Sequence, residues 1–212
     1  WLSRDCSPQW ILEGDIKGCF DHISHQWLLD NVRIDKRILE KWLKSGVVFN
    51  KMPQPTVEGT PQGGIISPIL ANTTLDGMER MLKERYRVNY IDGRLYHPKV
   101  NYVRYADDFI VTADKRETLE DVKCMLIEFL RERGLTLSEE KTLITHISEG
   151  FDFLGFNVRK YNGTLLIKPS KKSQKRFTDK LHEVVLTKGK ALSQQELIEL
   201  SLIHISEPTR PY

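Results

Sequence analysis

Tyr105-Ala106-Asp107-Asp108 joins two apolar segments of the sequence and places two carboxylates side by side. The residues at 100–103 and 109–111 favour β-strands, so the pattern predicts two short strands joined by a tight turn. Adjacent carboxylates repel each other, and a fold accepts such a pair where a cation compensates the charge. A divalent metal ion would do so. The alternative for an isolated Asp-Asp pair is a solvated acidic turn.

Composition is that of an ordinary globular protein of one or two domains. The 212 residues are 40% hydrophobic and 29% charged. No apolar run approaches the roughly 18 residues of a membrane-spanning helix, and we expect neither a signal peptide nor a membrane partner. Three widely spaced cysteines, Cys6, Cys19 and Cys124, predict no disulfide framework and favour a reducing compartment.

Positive charge is concentrated in one region. Residues 159–180 carry 8 basic side chains and 1 acidic one, although the net charge of the whole chain is only +3. A basic region beside an acidic one indicates a polyanionic partner. The alternative is a solvated basic helix.

Both ends of the sequence are unusual. The chain begins at Trp1 and its first methionine is Met52, so we expect an interior segment. Residues 201–212 (SLIHISEPTRPY) break the preceding helical pattern and resemble translated adapter sequence. We interpret them as a non-native tail, and the alternative is a natural loop.

Hydrophobic periodicity predicts alternating strands and helices, and therefore the α+β class. Up to about residue 147, the order fits a split βαβ, ferredoxin-like antiparallel sheet with helices on one face. The predicted elements are a strand at 10–16, helices capped by Ser24 and Asp35, a long helix at 68–86, a hairpin at 102–113, a helix at 118–133, a strand over 135–147, a hairpin formed by 151–158 and 164–167 around Asn162-Gly163, and a basic helix at 170–186.

Two local patterns leave their function open. The loop at 59–64 (GTPQGG) precedes a helix, and paired glycines permit close backbone approach to a ligand such as phosphate. It lacks the Gly-Lys-Ser/Thr ending of a Walker loop, and most glycine-rich turns are only turns. His22 and His25 lack further ligands at metal spacing, so we interpret them as polar residues at a helix start.

Asp15 ends the first predicted strand, next to the predicted acidic hairpin tip. Three carboxylates without histidine or cysteine favour Mg²⁺, or Mn²⁺, over zinc. A pair of such ions about 4 Å apart activates a hydroxyl and stabilises a leaving pyrophosphate. Lys141 could neutralise that leaving group or give it a proton. The residues alone indicate a metal site more strongly than they indicate polymerisation.

Five ordered motifs resemble the reverse transcriptase domain of group II intron-encoded proteins. The resemblance covers about residues 1–190 and implies an RNA-directed DNA polymerase that also assists intron splicing and mobility. Its expected partners are an RNA template, a DNA primer, deoxynucleoside triphosphates and intron RNA, with a homodimer as a further option. The motifs are WILEGDIKGCFD (10–21), GTPQGGIISPILAN (59–72), RYADDF (104–109), GLTLSEEKT (134–142) and FDFLGF (151–156).

The resemblance implies two Mg²⁺ ions (Mn²⁺ as an alternative) on Asp15, Asp107 and Asp108, with the backbone of Ile16 as a further ligand. It makes Phe20 a steric gate that excludes a ribose 2′-hydroxyl; the alternative is core packing. It also places Gln62 and Gly63, in one loop, against the incoming nucleotide and the template strand. Lys141 would lie beside the leaving phosphates, and the alternative for this lysine is a solvated surface residue.

The resemblance also assigns contacts to the primer and template. Tyr105 would lie against the primer terminus, and a hairpin would grip the primer end. A basic helix would track phosphates with little sequence preference. These further residues are Phe153, Leu154 and Gly155 in the hairpin, and Lys171, Lys172, Lys175 and Arg176 in the helix.

The resulting domain prediction is a palm at 1–148, a primer-grip hairpin at 149–168, the start of a thumb or maturase region at 169–200 and the tail at 201–212. The family's fingers would precede residue 1, and we expect the segment alone to bind template and primer poorly. A bacterial cytoplasmic location, with the protein on the nucleoid when bound to DNA, or an organellar one follows from the resemblance. The rival functions are a non-catalytic splicing maturase, an RNA-dependent RNA polymerase, and a reverse transcriptase of another retroelement type.

Overall fold

An antiparallel sheet with helices packed on one of its faces forms the centre of the computed structural model. The structure describes residues 2–4, 6–49, 52–54, 58–60, 64–91, 93–188, 193–196 and 198–199. The strands are β1 (Trp10–Lys17), β2 (Val47–Phe49), β3 (Met52–Gln54), β4 (Asn89–Ile91), β5 (Arg94–Tyr96), β6 (Asn101–Tyr105), β7 (Asp108–Ala113), β8 (Thr136–Leu137), β9 (Leu143–His146), β10 (Phe151–Phe153), β11 (Phe156–Tyr161) and β12 (Thr164–Pro169). The helices are α1 (His25–Asn31), α2 (Lys36–Leu43), α3 (Ser67–Leu75), α4 (Met78–Arg85), α5 (Arg116–Arg131) and α6 (Lys171–His182), followed by a π-helical turn at Glu183–Lys188.

The central sheet has the order β6-β7-β1, with β8 and β9 both pairing with the other edge of β1. All of these pairings are antiparallel. The elements reproduce the predicted split βαβ order. Along the chain, β1 is followed by the β6–β7 hairpin, then by α5, and then by the β8–β9 edge. The α+β prediction is therefore confirmed.

Alternation along β1 separates the two faces of the sheet. Leu12 and Ile16 face the large core that the helices close, whereas Ile11 belongs to a smaller core on the opposite face. In this smaller core, Ile11 packs with Ile110, Ile147 and Phe151. The β10–β12 sheet therefore covers part of the face that also carries Asp15.

Gly14 lets the Phe109 ring pack directly on the backbone of β1. A Cβ at Gly14 would overlap this ring, which is 1% exposed and enclosed by the core. We therefore expect Gly14→Ala to lower the free energy of unfolding by about 3 kcal/mol, because an overpacked core must shift. Urea denaturation measures this change.

Gly163→Ala is the control for that substitution. A Cβ at Gly163 would meet nothing within 4 Å, so only the left-handed backbone (φ 83°) opposes the change. That conformation costs about 1–2 kcal/mol for a residue with a Cβ. An equal or smaller loss for Gly14→Ala would show that β1 and Phe109 are not packed as described.

Three predicted elements differ from the structure. The long helix expected over 68–86 is two helices, α3 and α4, because the chain turns at Asp76-Gly77, where Gly77 has a φ of 103°. The strand expected over 135–147 is interrupted at 138–142, where the backbone folds into a turn in which Lys141 N–H and Thr142 N–H both donate to the Ser138 carbonyl. The segment 151–158 reverses direction at Leu154-Gly155, since both residues have positive φ.

Other local predictions are confirmed. Ser24 caps α1 by accepting from Trp27 N–H, and Asp35 caps α2 by accepting from Arg37 and Ile38 N–H. The helix predicted over 118–133 is α5, which begins at Arg116 and ends at Arg131. Within the described part of the chain, no helix is both long and apolar enough to cross a membrane.

Candidate active site

The three predicted metal-binding carboxylates lie at one end of the β1–β7 pair. Asp15, near the end of β1, is directly opposite Asp108, the first residue of β7. Directly opposed residues in an antiparallel pair present their side chains on the same face of the sheet. Asp107 immediately precedes Asp108 in the two-residue turn after β6, whose other residue, Ala106, has a left-handed φ of 56°.

The charges of these carboxylates act on each other. The pKa of Asp108 is raised, first by loss of solvent around the carboxylate and then by the negative charges of Asp107 and Asp15. Lys141 opposes the increase. A site that raises the pKa of its own carboxylate through neighbouring negative charge favours a bound cation.

Lys141 approaches this site from the turn that interrupts the edge of the sheet between β8 and β9. Ser138 N–H donates to the Asp15 carbonyl at 2.8 Å, which anchors the start of this turn on β1. The Lys141 ammonium then donates to Asp15 Oδ2 at 3.0 Å. Hydrogen bonding to Asp15 and the negative charge of its carboxylate raise the pKa of Lys141. One cation therefore already faces the predicted metal ligands.

The donor set suits a hard divalent cation, although it is not arranged as a closed cage. The predicted ligands Asp15, Asp107 and Asp108 are all carboxylates, which matches the preference of Mg²⁺ and Mn²⁺ for oxygen ligands. Among the described residues, no group of three or more His, Cys, Asp or Glu side chains is close enough to hold a metal by itself. The mutual repulsion at Asp108 and the position of Lys141 on Asp15 support a cation site that Asp15, Asp107 and Asp108 would complete. Ile16 follows Asp15 in β1, and its side chain is buried in the large core.

Phe20 lies in the turn after β1, and its side chain is partly buried against the large core. Residues 58–60 cross this turn: Thr60 N–H donates to the Phe20 carbonyl at 2.6 Å, and Gly59 N–H donates to the Ile23 carbonyl at 2.9 Å. Gly59 has a φ of 76°, and a Cβ there would overlap the Phe20 carbonyl. The loop predicted to line the nucleotide is thus anchored beside Phe20. Its predicted contact residues, Gln62 and Gly63, lie outside the described residues.

The predicted primer contacts lie on two hairpins. Tyr105, the last residue of β6, is opposite Asp108 and is 61% exposed. Leu154 and Gly155 form the turn between β10 and β11, and Phe153 precedes them as a half-buried residue at the end of β10. Ser170 N–H donates to the Gly155 carbonyl at 2.9 Å, so this turn is joined to the start of α6.

Helix α6 presents the predicted phosphate contacts to solvent. It contains no buried residue, and Ser170 caps it by accepting from Ser173 N–H. No ion pair within the part of the chain that the structure describes involves its four predicted contact residues, so their charge is available to a polyanion. These exposed residues are Lys171, Lys172, Lys175 and Arg176.

The sequence interpretation missed three residues around the site. Arg104 donates to Asn72 Oδ1 at 2.9 Å and to the Ala106 carbonyl at 3.1 Å. Cys19 is buried, and burial, followed by the charge of Asp107, raises its pKa to about 12, so it is an unreactive thiol under the site. Glu13 is the third missed residue. The sequence signal that could have identified it is an acidic residue within an otherwise apolar strand.

Burial raises the pKa of Glu13 to about 7. The folded protein therefore retains a proton that the unfolded chain releases near pH 4.5, and folding stability falls as pH rises between these values. Glutamine does not titrate, so we expect Glu13→Gln to remove this loss. Relative to wild type, the free energy of unfolding of the variant should be about 1–3 kcal/mol more favourable at pH 8 than at pH 4.5. Denaturation at several pH values measures the difference, with exposed Glu139→Gln as the control. A Glu13→Gln effect that is the same at pH 4.5 and pH 8 would contradict the raised pKa of this half-buried acid.

Carboxylates at the end of the central strands of an antiparallel sheet, with helices packed on one face, define the polymerase palm class. The chain belongs to the reverse transcriptase family: the family model described as reverse transcriptase (RNA-dependent DNA polymerase) matches residues 2–158. The predicted palm fold class is confirmed, and the domain boundaries predicted at residues 148, 168 and 200 stay predictions.

Curated relatives include intron-encoded proteins. The group II intron-encoded protein LtrA of Lactococcus lactis subsp. cremoris is 31% identical over 258 residues, which covers 89% of this chain and 43% of the relative. Protein YkfC of Escherichia coli (strain K12) is 34% identical, with 71% of this chain and 48% of the relative covered. The putative COX1/OXI3 intron 2 protein of Saccharomyces cerevisiae is 27% identical over 71% of this chain and 24% of the relative. The predicted resemblance is confirmed, and the chain spans less than half the length of these relatives.

Solved structures of telomerase share the fold. Apo telomerase from Candida tropicalis superposes with a TM-score of 0.58 at 17% identity, covering 84% of this chain and 36% of that chain. Candida tropicalis telomerase in complex with a TWJ fragment of telomeric RNA gives 0.57 at 16% identity, covering 94% of this chain and 38% of that chain.

Proposed function

We propose that this chain forms the catalytic palm of a group II intron-type reverse transcriptase, which adds deoxynucleotides to a DNA primer on an RNA template. The observation that carries the proposal is the direct opposition of Asp15 and Asp108 across β1 and β7, with Asp107 on the adjoining turn. Membership of the reverse transcriptase family and similarity to LtrA support it. Splicing and mobility of an intron are the proposed roles of the whole protein.

Mg²⁺ is the proposed cofactor, since reverse transcriptases generally use divalent metal ions. Asp15, Asp107 and Asp108 would hold it. When bound, the metal supplies charge stabilisation to the attacking and leaving oxygens. Electrostatics of the chain itself favour this occupancy, because loss of solvent and the negative charges of Asp107 and Asp15 disfavour the charged form of Asp108 when no cation is bound.

Lys141 is proposed to serve the phosphates of the incoming nucleotide. In the structure its ammonium is bound to Asp15 Oδ2, and its side chain is 68% exposed. A long exposed lysine exchanges one anionic partner for another at low cost. The ammonium would move from the carboxylate to a phosphate oxygen, where it would balance charge or donate a proton to the leaving group.

Phe20 and the 58–60 segment are proposed to shape the sugar site. The backbone of Phe20 is fixed by Thr60 N–H, so the ring is carried by a turn with a defined position. A fixed aromatic ring beside the sugar excludes a 2′-hydroxyl by steric overlap. This gate favours a DNA-synthesising enzyme over an RNA polymerase.

Primer extension tests the proposed function. A reconstructed full-length protein that includes this chain is incubated with Mg²⁺, an RNA template, a labelled DNA primer and either dNTPs or NTPs. We expect template-dependent extension with dNTPs. Extension with NTPs alone would identify an RNA polymerase, whereas RNA binding without any extension would favour the non-catalytic maturase.

A further inference from the structure

Arg104 links the carboxylate-bearing turn to helix α3. It lies on β6, one residue before Tyr105, and only 17% of its side chain is exposed. One terminal nitrogen of the guanidinium donates to Asn72 Oδ1 on α3 at 2.9 Å and to the Ala106 carbonyl in the turn at 3.1 Å. The other terminal nitrogen lies 3.5 Å from Asp76 Oδ1, at the end of α3.

The turn that Arg104 contacts requires support from outside itself. Ala106 has a φ of 56°, a left-handed conformation that disfavours any residue with a Cβ. The two residues that follow it are the repelling carboxylates Asp107 and Asp108. A backbone of this kind persists when surrounding contacts determine it, and Arg104 supplies such a contact to the Ala106 carbonyl.

A guanidinium suits this role better than an ammonium. Its planar, fork-like donors are directed at fixed angles, so that it joins two acceptors on different elements in one geometry. An ammonium on a lysine stem carries the same charge but lacks that geometry. Charge alone and bridging therefore predict different outcomes for Arg104→Lys.

We propose that Arg104 is a positioning residue that holds the Ala106-Asp107 turn against Asn72 of α3 and thereby sets the Asp107 carboxylate for cation binding. The biological role of this bridge rests on the proposed function. The bridge itself is present in the protein without substrate.

Cation affinity of the full chain, without nucleotide or nucleic acid, is the first test. Terbium luminescence gives the half-saturating concentration, and competition with Mg²⁺ gives the corresponding Mg²⁺ value. We expect Arg104→Lys and Asn72→Ala each to weaken cation binding about tenfold. Because both variants break the same bridge, the double variant should be no weaker than either single variant.

Matched variants separate positioning from charge. Asn72→Asp keeps an acceptor for Arg104 and should retain affinity within about twofold. Asp76→Asn should do the same, because the contact of Asp76 is longer and its side chain is 74% exposed. Wild-type affinity in both Arg104→Lys and Asn72→Ala would overturn the proposal, as would additive losses in the double variant.

Amide hydrogen exchange provides a measurement that does not depend on metal. In the cation-free chain, Arg104→Lys should accelerate exchange at residues 105–108 severalfold while exchange in α5 is unchanged. Acceleration throughout the chain would indicate general loss of stability and would overturn a local positioning role. Cation binding by the wild-type chain, together with no primer extension by the full-length protein that includes it, would refute the proposed function without affecting the bridge.

Discussion

Asp107→Asn is expected to reduce deoxynucleotide addition by about a thousandfold. An amide keeps the size of the carboxylate but removes its charge, and a metal-bound carboxylate supports several kcal/mol of transition-state stabilisation. Each loss of about 1.4 kcal/mol lowers the rate tenfold. RNA binding should persist, since the exposed basic residues of α6 are untouched. Single-turnover primer extension, together with a filter-binding assay for RNA, measures both quantities.

Asp30→Asn is the matched control for Asp107→Asn. Asp30 is an exposed carboxylate on α1 that pairs with Lys36, and its replacement should leave the extension rate within about twofold. Undiminished extension by Asp107→Asn would contradict the proposed metal ligand. Equal losses in the two variants would show that the effect is not specific to the site.

Phe20→Ala is expected to increase the use of ribonucleotides relative to deoxynucleotides by about 30- to 100-fold. Removal of the ring relieves a steric overlap of roughly 2.0–2.7 kcal/mol between the side chain and a 2′-hydroxyl. Competition between NTPs and dNTPs at one template position gives the ratio. Since both substrates meet the same enzyme molecules, the ratio does not depend on the active fraction.

Two controls accompany Phe20→Ala because the ring also packs against the core. Phe129→Ala removes another partly buried ring of the same core and should lower stability without altering the substrate ratio. Phe20→Tyr retains the ring and should retain discrimination. If Phe20→Ala and Phe129→Ala both left the ratio unchanged, Phe20 would be a core residue only.

The sequence predicted the central sheet because its strands have short-range signals. Alternating apolar residues around 100–113 predicted the β6–β7 hairpin, and the apolar run ending at Asp15 predicted β1. That these elements pair side by side follows from the family motifs. The one-to-one register of Asp15 with Asp108 required the structure, since register depends on pairing across some ninety residues.

Breaks within elements were harder to predict. Gly77 ends α3 through its positive φ, but a single glycine within a helical pattern is also compatible with a continuous helix. The turn at 138–142 carries strand-compatible residues on both sides. Its shape depends on the hydrogen bond from Ser138 to the Asp15 carbonyl, which is a tertiary contact. Lys141 reaches Asp15 only because of that interruption.

Support for the site was largely invisible in the sequence. Arg104 was part of a quoted motif, but its contacts with Asn72 connect residues that are 32 positions apart. The raised pKa of Glu13 could not be predicted from the sequence, because it depends on which strands cover β1. The roles of Phe20, Gln62, Tyr105 and the basic residues of α6 stay predictions, of which the Phe20 variants above address the first.

Iron-directed cleavage tests the central claim that Asp15, Asp107 and Asp108 hold a catalytic divalent cation. Fe²⁺ is bound in place of Mg²⁺, and with ascorbate and peroxide it generates radicals that cut the nearby backbone. The account predicts cuts around residues 14–16 and 106–108 that excess Mg²⁺ suppresses and that Asp15→Asn abolishes. Cleavage elsewhere only, or cuts at these positions that persist in Asp15→Asn, would contradict it.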